Sequence, residues 1–136
     1  MQFSSLGSGS KGNGTLIRSD DCMLLVDCGF TLKQTLKRLD RLKVSPDQLD
    51  AIIVTHEHGD HLGGVGPLAR KYELPVYMTP GTHRSRNIGV LPDIVLIKNY
   101  LPFSIKSINV TPVGLPHDPR EPVYYTHLKL PEKGRV

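Results

Sequence analysis

The run LDAIIVT, residues 49 to 55, constrains the fold of this chain more than any other stretch of its sequence. It is apolar at its centre and rich in β-branched residues, without the polar–apolar alternation of a strand that has one solvated face. Such a run predicts a buried strand. Other short apolar runs alternate with helical patterns and turn signals, which indicates a mixed α/β domain over residues 1–136 rather than a bundle or an all-β sandwich.

Periodicity also predicts two helices and further strands. The first helix begins after Thr31, a suitable N-cap, and its leucines recur on one face. The second runs through LGGVGPLARKY, although three glycines and Pro67 weaken its first half. The segments TLIRS and CMLLVDCG form a predicted hairpin. The remaining predicted strands are MQFSSL, PVYMT, IVLIK, SINVTPVG and PVYYTHLKL.

Composition sets only broad limits on function. The formal net charge of +4 permits a phosphate or nucleic-acid partner without requiring one. No stretch has the length of a membrane span, and residues 1–15 lack the apolar core of a secretory signal. Cys22 and Cys28 lie roughly 20 Å apart on one predicted strand, beyond the limit of roughly 7 Å for a disulfide. Two free thiols indicate a reducing, cytoplasmic compartment.

The glycines near the start of the chain resemble a nucleotide-binding fingerprint. Gly7, Gly9 and Gly12 fit G-x-G-x-x-G, and Asp27 follows at a suitable distance. That fingerprint needs a helix and a crossover of at least about 10–12 residues, whereas NGTLIRSDD is shorter and contains a strand-like segment. We therefore expect a tight Gly/Ser loop. Its backbone N–H groups form either a small anion-binding nest or an ordinary turn, and the sequence leaves both open.

The residues that follow the buried strand, THEHGDH, are dense in metal-binding side chains. In an extended stretch His56 and His58 point to the same side, and the next glycine lets Asp60 and His61 reach a neighbouring position. Imidazole and carboxylate suit Zn²⁺ and similar ions, and two ions about 3.5–4 Å apart could share a water. The helical H-E-x-x-H pattern of zinc proteases fails, because position 60 is Asp and a glycine precedes it. A solvated polar loop is the weaker interpretation.

Other positions extend this prediction. His117, in a proline-bounded loop, could give a third nitrogen to the first ion. His83 lies beside Arg84 and Arg86, which marks either a phosphate-facing surface or a solvated loop. Asp27 ends LLVD and is either an acceptor that orients a metal-bound imidazole or a turn-capping aspartate.

Together these residues resemble the metallo-β-lactamase superfamily. THEHGDH matches its H-x-H-x-D-H motif, LVDCG falls where the superfamily keeps a strand-terminal aspartate, and PHD falls where it keeps the next histidine ligand. SLGSGSKGNGT and HDPREPV are similar to the WalJ/YycJ type of bacterial members. These resemble phosphodiesterases and 5′-exonucleases acting on DNA more than enzymes that open a lactam ring.

The resemblance implies a fold and a ligand set. The fold would be an αββα sandwich, with two sheets between outer helices. His56, His58 and His117 would hold one metal and Asp60 and His61 a second, so that a complete site takes two Zn²⁺, Mn²⁺ or Fe²⁺ ions. Asp60 would also help to position the bridging hydroxide, which places it among the catalytic residues.

The resemblance covers about the first half of the family domain. Members of the family continue beyond the equivalent of residue 136 to a bridging aspartate and a further histidine, so the sandwich is expected to be incomplete at the C-terminus. An uncovered sheet edge would follow, with marginal stability and association into a homo-oligomer. A sharp, monomeric thermal transition would contradict this expectation.

The leading functional hypothesis is a metal-dependent hydrolase, in intact form a phosphodiesterase or DNA exonuclease that uses a metal-activated hydroxide. Arg84 and Arg86 would contact the substrate backbone. The first alternative is a hydrolase of thioesters or other small molecules on the same site, since the ligands do not encode the substrate. The second is a metal-binding or inactive chain without turnover.

Overall fold

The computed structural model describes residues 1–85, 87–113 and 124–129 of the chain. It confirms the mixed α/β class. The strands are β1 Gln2–Gly7, β2 Gly14–Arg18, β3 Met23–Val26, β4 Ala51–Ile53, β5 Pro75–Met78, β6 Asp93–Leu96, β7 Phe103–Ile105, β8 Ile108–Val113 and β9 Tyr124–Lys129. The helices are α1 Leu32–Arg41, α2 Gly59–Leu62, α3 Val65–Tyr72 and α4 Pro80–Ser85, with a 3₁₀ turn at Pro46–Gln48.

These strands form two sheets. The larger has the order β1-β2-β3-β4-β5-β6, in which β1, β2 and β3 pair antiparallel and β3 to β6 pair parallel. The smaller is the antiparallel sheet β7-β8-β9. The parallel half of the larger sheet brings the carboxyl ends of β3 and β4 to one edge, where α/β proteins commonly place ligand sites.

The larger sheet is covered on both faces, as the apolar run at its centre predicts. Ala51, Ile52 and Ile53 of β4 are fully buried. Ile52 packs in the core that includes Leu39 of α1 and Leu68 of α3. Its neighbours Ala51 and Ile53 pack in a second core with residues of the smaller sheet. The described part of the fold is therefore a helix–sheet–sheet arrangement, in agreement with an incomplete αββα sandwich.

The first helix and the first hairpin are confirmed. The Thr31 hydroxyl oxygen accepts the Gln34 N–H at 3.2 Å, and the helix runs over Leu32–Arg41. Strands β2 and β3 are joined through Ser19–Cys22, where the Ser19 N–H donates to the Cys22 carbonyl at 2.8 Å.

The prediction of the second helix is wrong in its extent, because the structure has two helices in this region. Helix α2 begins at Gly59, earlier than the prediction, and α3 begins at Val65 after a Gly63-Gly64 break. A Cβ on Gly64 would lie 1.9 Å from the Phe30 carbonyl oxygen, so close backbone packing explains a glycine there. The loop alternative for His83 is also wrong, because the residue lies on α4. Strand β7 was not predicted.

The early glycines do not form a dinucleotide-binding crossover, as predicted. Gly7 ends β1, and Gly9 and Gly12 belong to the loop between the antiparallel strands β1 and β2. The Gly9 N–H donates to Asn13 Oδ1 at 3.1 Å and the Gly12 N–H to the Gly9 carbonyl at 3.3 Å. These two N–H groups are used inside the loop, which favours the ordinary turn at those positions. The Phe30 ring lies beneath the loop, 2.5 Å from where a Cβ on Gly12 would stand.

Cys22 and Cys28 are buried free thiols, as predicted. Burial raises the pKa of each to about 11, so both stay protonated at neutral pH. None of the helices in the described ranges is long and apolar enough to cross a bilayer. A cytoplasmic location stays a prediction.

The described strands leave two edges on the larger sheet, at β1 and β6. Phe3 on β1 is 56% exposed and Leu96 on β6 is 54% exposed. Association into a homo-oligomer through such an edge stays a prediction, which sedimentation of the purified chain would check.

Candidate metal centre

The predicted ligands within the described residues follow β4, and Asp27, the predicted orienting residue, follows β3. After β4 the chain runs through an irregular segment that bends at residues 57 and 58, and His58 directly precedes the first residue of α2. Because α2 begins at Gly59, Asp60 and His61 lie in its only turn. The helix thus turns these two side chains back toward the end of β4.

The loops that meet here are joined by backbone hydrogen bonds, which we call the main-chain frame. The Asn13 N–H donates to the Asp60 carbonyl at 2.7 Å and the Cys28 N–H to the His61 carbonyl at 2.8 Å. The Gly29 N–H donates to the Asn13 carbonyl at 3.0 Å. Three segments far apart in sequence are therefore fixed to one another independently of their side chains.

Asp27 is the centre of a buried hydrogen-bond network. One carboxylate oxygen, Oδ1, accepts the Thr55 N–H at 2.7 Å. The other, Oδ2, accepts the Thr55 hydroxyl at 2.5 Å and lies 2.7 Å from His61 Nδ1. Asp27 has a left-handed backbone, with φ of 66°, and is only 6% exposed. These contacts favour the orienting role over a plain turn cap.

This network sets the tautomers of two histidines. A carboxylate can only accept a hydrogen bond, so His61 Nδ1 must carry a proton and donate it in the hydrogen bond to Asp27. The Thr55 hydroxyl gives its proton to Asp27 and lies 2.9 Å from His56 Nδ1, which must therefore donate to it. When neutral, both imidazoles then have their lone pair on Nε2, the nitrogen that can bind a metal.

The distances among the side chains fit metal coordination. The ring centroid of His56 lies 4.5 Å from that of His61 and 5.9 Å from that of His58. His61 Nε2 lies 3.8 Å from Asp60 Oδ2. Two donors on one tetrahedral zinc ion would lie roughly 3.4 Å apart, so a small rotation brings this pair to ligand spacing.

A second grouping of donors also exists. Asp27, His56 and His61 each offer a ligand atom, and these atoms all lie within 4.8 Å of one another. The Asp27 oxygens already accept hydrogen bonds from Thr55 and His61, so we regard Asp27 as the orienting residue rather than a ligand. The described residues thus include a His/Asp group of the chemistry that divalent metals require.

The local environment shifts the pKa values of His56 and His61 in opposite directions. Burial lowers the pKa of His56, and the neighbouring His61 lowers it further, which keeps the neutral form that binds metals. The hydrogen bond to Asp27 raises the pKa of His61 against the opposing effect of burial. A metal ion at His61 must therefore displace a proton that the site retains to higher pH.

The other predicted site residues stand apart from this network. The His58 side chain is 63% exposed at the start of α2. Arg84 lies on the exposed side of α4. His117 and Arg86 lie outside the described residues, so their predicted roles are untested by the structure.

Sequence reasoning missed two residues of the site. Thr55 joins Asp27 to His56, and its position directly before the histidines was the available signal. Asn13 contacts Asp60, 47 positions away in sequence. It follows the glycine loop, but nothing in the local pattern indicates which side chain it would reach.

Comparisons with known proteins indicate the family of the chain. A family model for the metallo-beta-lactamase superfamily matches residues 7–131. The exodeoxyribonuclease YycJ of Bacillus anthracis is 37% identical over 131 residues, which cover 92% of this chain and 49% of that protein. The exodeoxyribonuclease WalJ of Streptococcus pneumoniae is 33% identical over 95% of this chain and 50% of that protein. The chain thus spans about half the length of these curated relatives.

Solved structures share the fold at low sequence identity. The Rm3 metallo-beta-lactamase superposes with a TM-score of 0.73 over 89% of this chain and 51% of that chain, at 18% identity. The BLEG-1 B3 metallo-beta-lactamase gives a TM-score of 0.70 over 91% of this chain and 66% of that chain, at 20% identity. With the family match over nearly its whole length, the chain belongs to the metallo-beta-lactamase superfamily.

Proposed function

We propose that this chain forms part of a metal-dependent hydrolase that cleaves phosphodiester bonds in DNA. The observation that carries the metal site is the network in which Asp27 and Thr55 orient His56 and His61 beside Asp60. The proposed substrate is supported by two relatives that are named exodeoxyribonucleases. It is also compatible with the net charge of +4.

Each residue has a proposed role. His56, His58 and His117 hold one ion, and Asp60 and His61 hold the other. Two divalent ions, Zn²⁺ or alternatively Mn²⁺ or Fe²⁺, would lower the pKa of water and stabilise negative charge on a phosphate group. Asp27 keeps the His61 ring in the tautomer that presents Nε2, and Asp60 supplies the carboxylate of the site.

Replacing His58 tests the metal site with little risk to the fold, because its side chain is largely exposed. We expect the wild type to retain about one or two ions per chain after dialysis. His58→Ala should lose at least one of them, as elemental analysis would measure. The matched control is His83→Ala, since His83 is an exposed histidine on α4. Equal metal content in wild type and His58→Ala would contradict the proposed ligand set.

Substrate class needs a separate measurement. A metal-loaded sample would be assayed on phosphodiester, thioester and lactam substrates. Cleavage of the phosphodiester alone supports the proposal, whereas thioester cleavage alone would favour the small-molecule hydrolase. Retained metal without turnover of any substrate would favour a metal-binding chain.

The two arginines are proposed to contact the phosphate backbone of DNA. Arg84 is exposed on α4, and Arg86 lies outside the described residues. If each binds one phosphate, the double variant Arg84→Gln/Arg86→Gln should bind DNA more weakly, with a log–log salt slope smaller by roughly 2. Fluorescence anisotropy at several salt concentrations would measure both. The control is Arg41→Gln on α1, and an unchanged slope in the double variant would exclude the role.

A further inference from the structure

Asn13, in the loop between β1 and β2, contacts the start of α2 through both its backbone and its side chain. Its backbone N–H donates to the Asp60 carbonyl at 2.7 Å. Its side-chain Nδ2 lies 3.1 Å from the Asp60 carboxylate oxygen Oδ2, 3.0 Å from the Asp60 carbonyl and 2.9 Å from the Gly9 carbonyl. The two hydrogens of the amide are thus shared among three acceptors, two of which belong to Asp60.

The orientation of this amide follows from its partners. The Gly9 backbone N–H is a donor, and the Asn13 atom that it meets at 3.1 Å must be an acceptor. That atom is Oδ1, so the NH₂ group faces Asp60. The loop therefore fixes a donor in front of the Asp60 carboxylate.

The backbone of Asp60 cannot adjust to a different position. A Cβ on Gly29 would lie 1.9 Å from the Asp60 carbonyl oxygen, which shows how closely the two backbones pack. The Asn13 N–H donates to the same carbonyl. What remains variable is the rotation of the Asp60 side chain, which is 31% exposed. The hydrogen bond from the Asn13 amide to Oδ2 restricts this rotation.

An uncharged donor suits this position. A lysine or arginine would also fix the carboxylate, but its positive charge would repel a metal cation bound nearby. An amide donates a hydrogen bond and leaves the negative charge of the carboxylate available. The Asp60 oxygen that receives it, Oδ2, is the one that lies 3.8 Å from His61 Nε2.

We propose that Asn13 is a positioning residue that orients the Asp60 carboxylate and thereby sets the affinity of the ion shared by Asp60 and His61. The proposal rests on the proposed function, since it requires Asp60 to be a ligand. Removal of such supporting contacts commonly weakens metal binding by about 10–100-fold. The Gly/Ser loop would then act on the metal site rather than on a nucleotide.

The test compares metal affinity in the wild type, Asn13→Ala and Asn13→Ser. Serine is the milder change, because its hydroxyl can still bond to the backbone of the loop. Zn²⁺ affinity would be measured by competition with a chromophoric chelator, and Co²⁺ absorption spectra would report the ligand geometry. We expect one ion to bind about 10–100-fold more weakly in both variants, with the other ion unchanged. The control is Asn87→Ala. Asn87 accepts the Gly89 N–H at 3.0 Å in another loop, so this variant removes a comparable loop contact.

The outcomes separate this proposal from the proposed function. Wild type with two ions and variants with unchanged affinities and spectra would overturn the role of Asn13 alone. Variants that only lower Tm, or that weaken the binding of both ions equally, would also overturn the positioning role, because a purely structural role of Asn13 would have these effects. A wild type that binds no ion would overturn the metal site and this proposal together. If Asn13→Ala does not fold, the serine variant gives the result.

Discussion

Asp27→Asn is expected to weaken metal binding by about 10–100-fold while the chain stays folded. Asparagine has the same size and tolerates the left-handed backbone, with φ of 66°, found at this position. Its amide oxygen can still accept the Thr55 N–H, but its NH₂ group would face His61 Nδ1. The histidine would then carry its proton on Nε2, which is the nitrogen required by a metal. Chelator competition would measure the loss, with exposed Asp47→Asn as the control.

The same variant carries a pH signature in the metal-free chain. The hydrogen bond to Asp27 raises the pKa of His61, so the protonated form is favoured in the folded state. This contribution to stability is fully present below the unfolded pKa of about 6.5 and is lost as pH rises through the folded pKa. The stability deficit of Asp27→Asn should therefore be larger at about pH 6 than at about pH 8.5. An equal deficit at both pH values would contradict the assigned contact.

Truncation at the same position should have a larger effect. Asp27→Ala leaves the buried Thr55 N–H and hydroxyl without their acceptor and places alanine in a left-handed conformation. Together these changes should lower the free energy of unfolding by about 3–5 kcal/mol. Urea denaturation of the three proteins would rank them wild type, Asn, Ala. Wild-type stability of the alanine variant would contradict the network.

Gly29→Ala is expected to disrupt the site through its backbone. The added Cβ would lie 1.9 Å from the Asp60 carbonyl oxygen and 2.3 Å from the carbonyl carbon. No side-chain rotation relieves a clash with backbone, so α2 must move and break its hydrogen bond with Asn13. The expected cost is about 3 kcal/mol or more, together with loss of bound metal. Thermal unfolding and elemental analysis would measure both.

The control for this variant is Gly9→Ala, another methyl group added near the same loop. Among the described residues other than its two chain neighbours, none has an atom within 4 Å of the position that its Cβ would take, and φ is +127°. Only backbone strain of roughly 1–2 kcal/mol is expected there. If the two alanine variants were equally stable and equally metal-loaded, the close approach of Gly29 and Asp60 would not exist in solution.

Short sequence patterns predicted those strands and helix ends that depend mainly on neighbouring residues in the sequence. The apolar run at Ala51–Ile53 and the Thr31 cap each carry their own signal, and both are confirmed. The start of α2 at Gly59 carries no such local signal, because glycine is a poor helix former. The position of this helix start depends on tertiary contacts. The spacing of His56 and His58 predicted a metal site in this segment, and the structure brings His56 and His61 together with Asp27. The full ligand set stays a prediction.

Contacts between distant segments could not be predicted in this way. The hydrogen bonds from Asn13 to Asp60 span 47 positions, and those from Thr55 to Asp27 span 28. Which residues meet there follows from the order of the strands and the packing of the loops. Asp27 was a candidate because it ends a predicted strand, and the three hydrogen bonds that it accepts favour its proposed role as an orienting residue.

The main-chain frame has a consequence for how such a site can evolve. Its bonds use only backbone N–H and carbonyl groups of Asn13, Cys28, Gly29, Asp60 and His61. Exchange of the side chain at residue 60 or 61, the proposed ligands, leaves these bonds in place, whereas metal preference depends on whether the donors are carboxylate, imidazole or thiolate. A few substitutions can therefore change the ion and the reaction while the loops keep their arrangement. Selection can act on the chemistry of this centre separately from the scaffold that holds it.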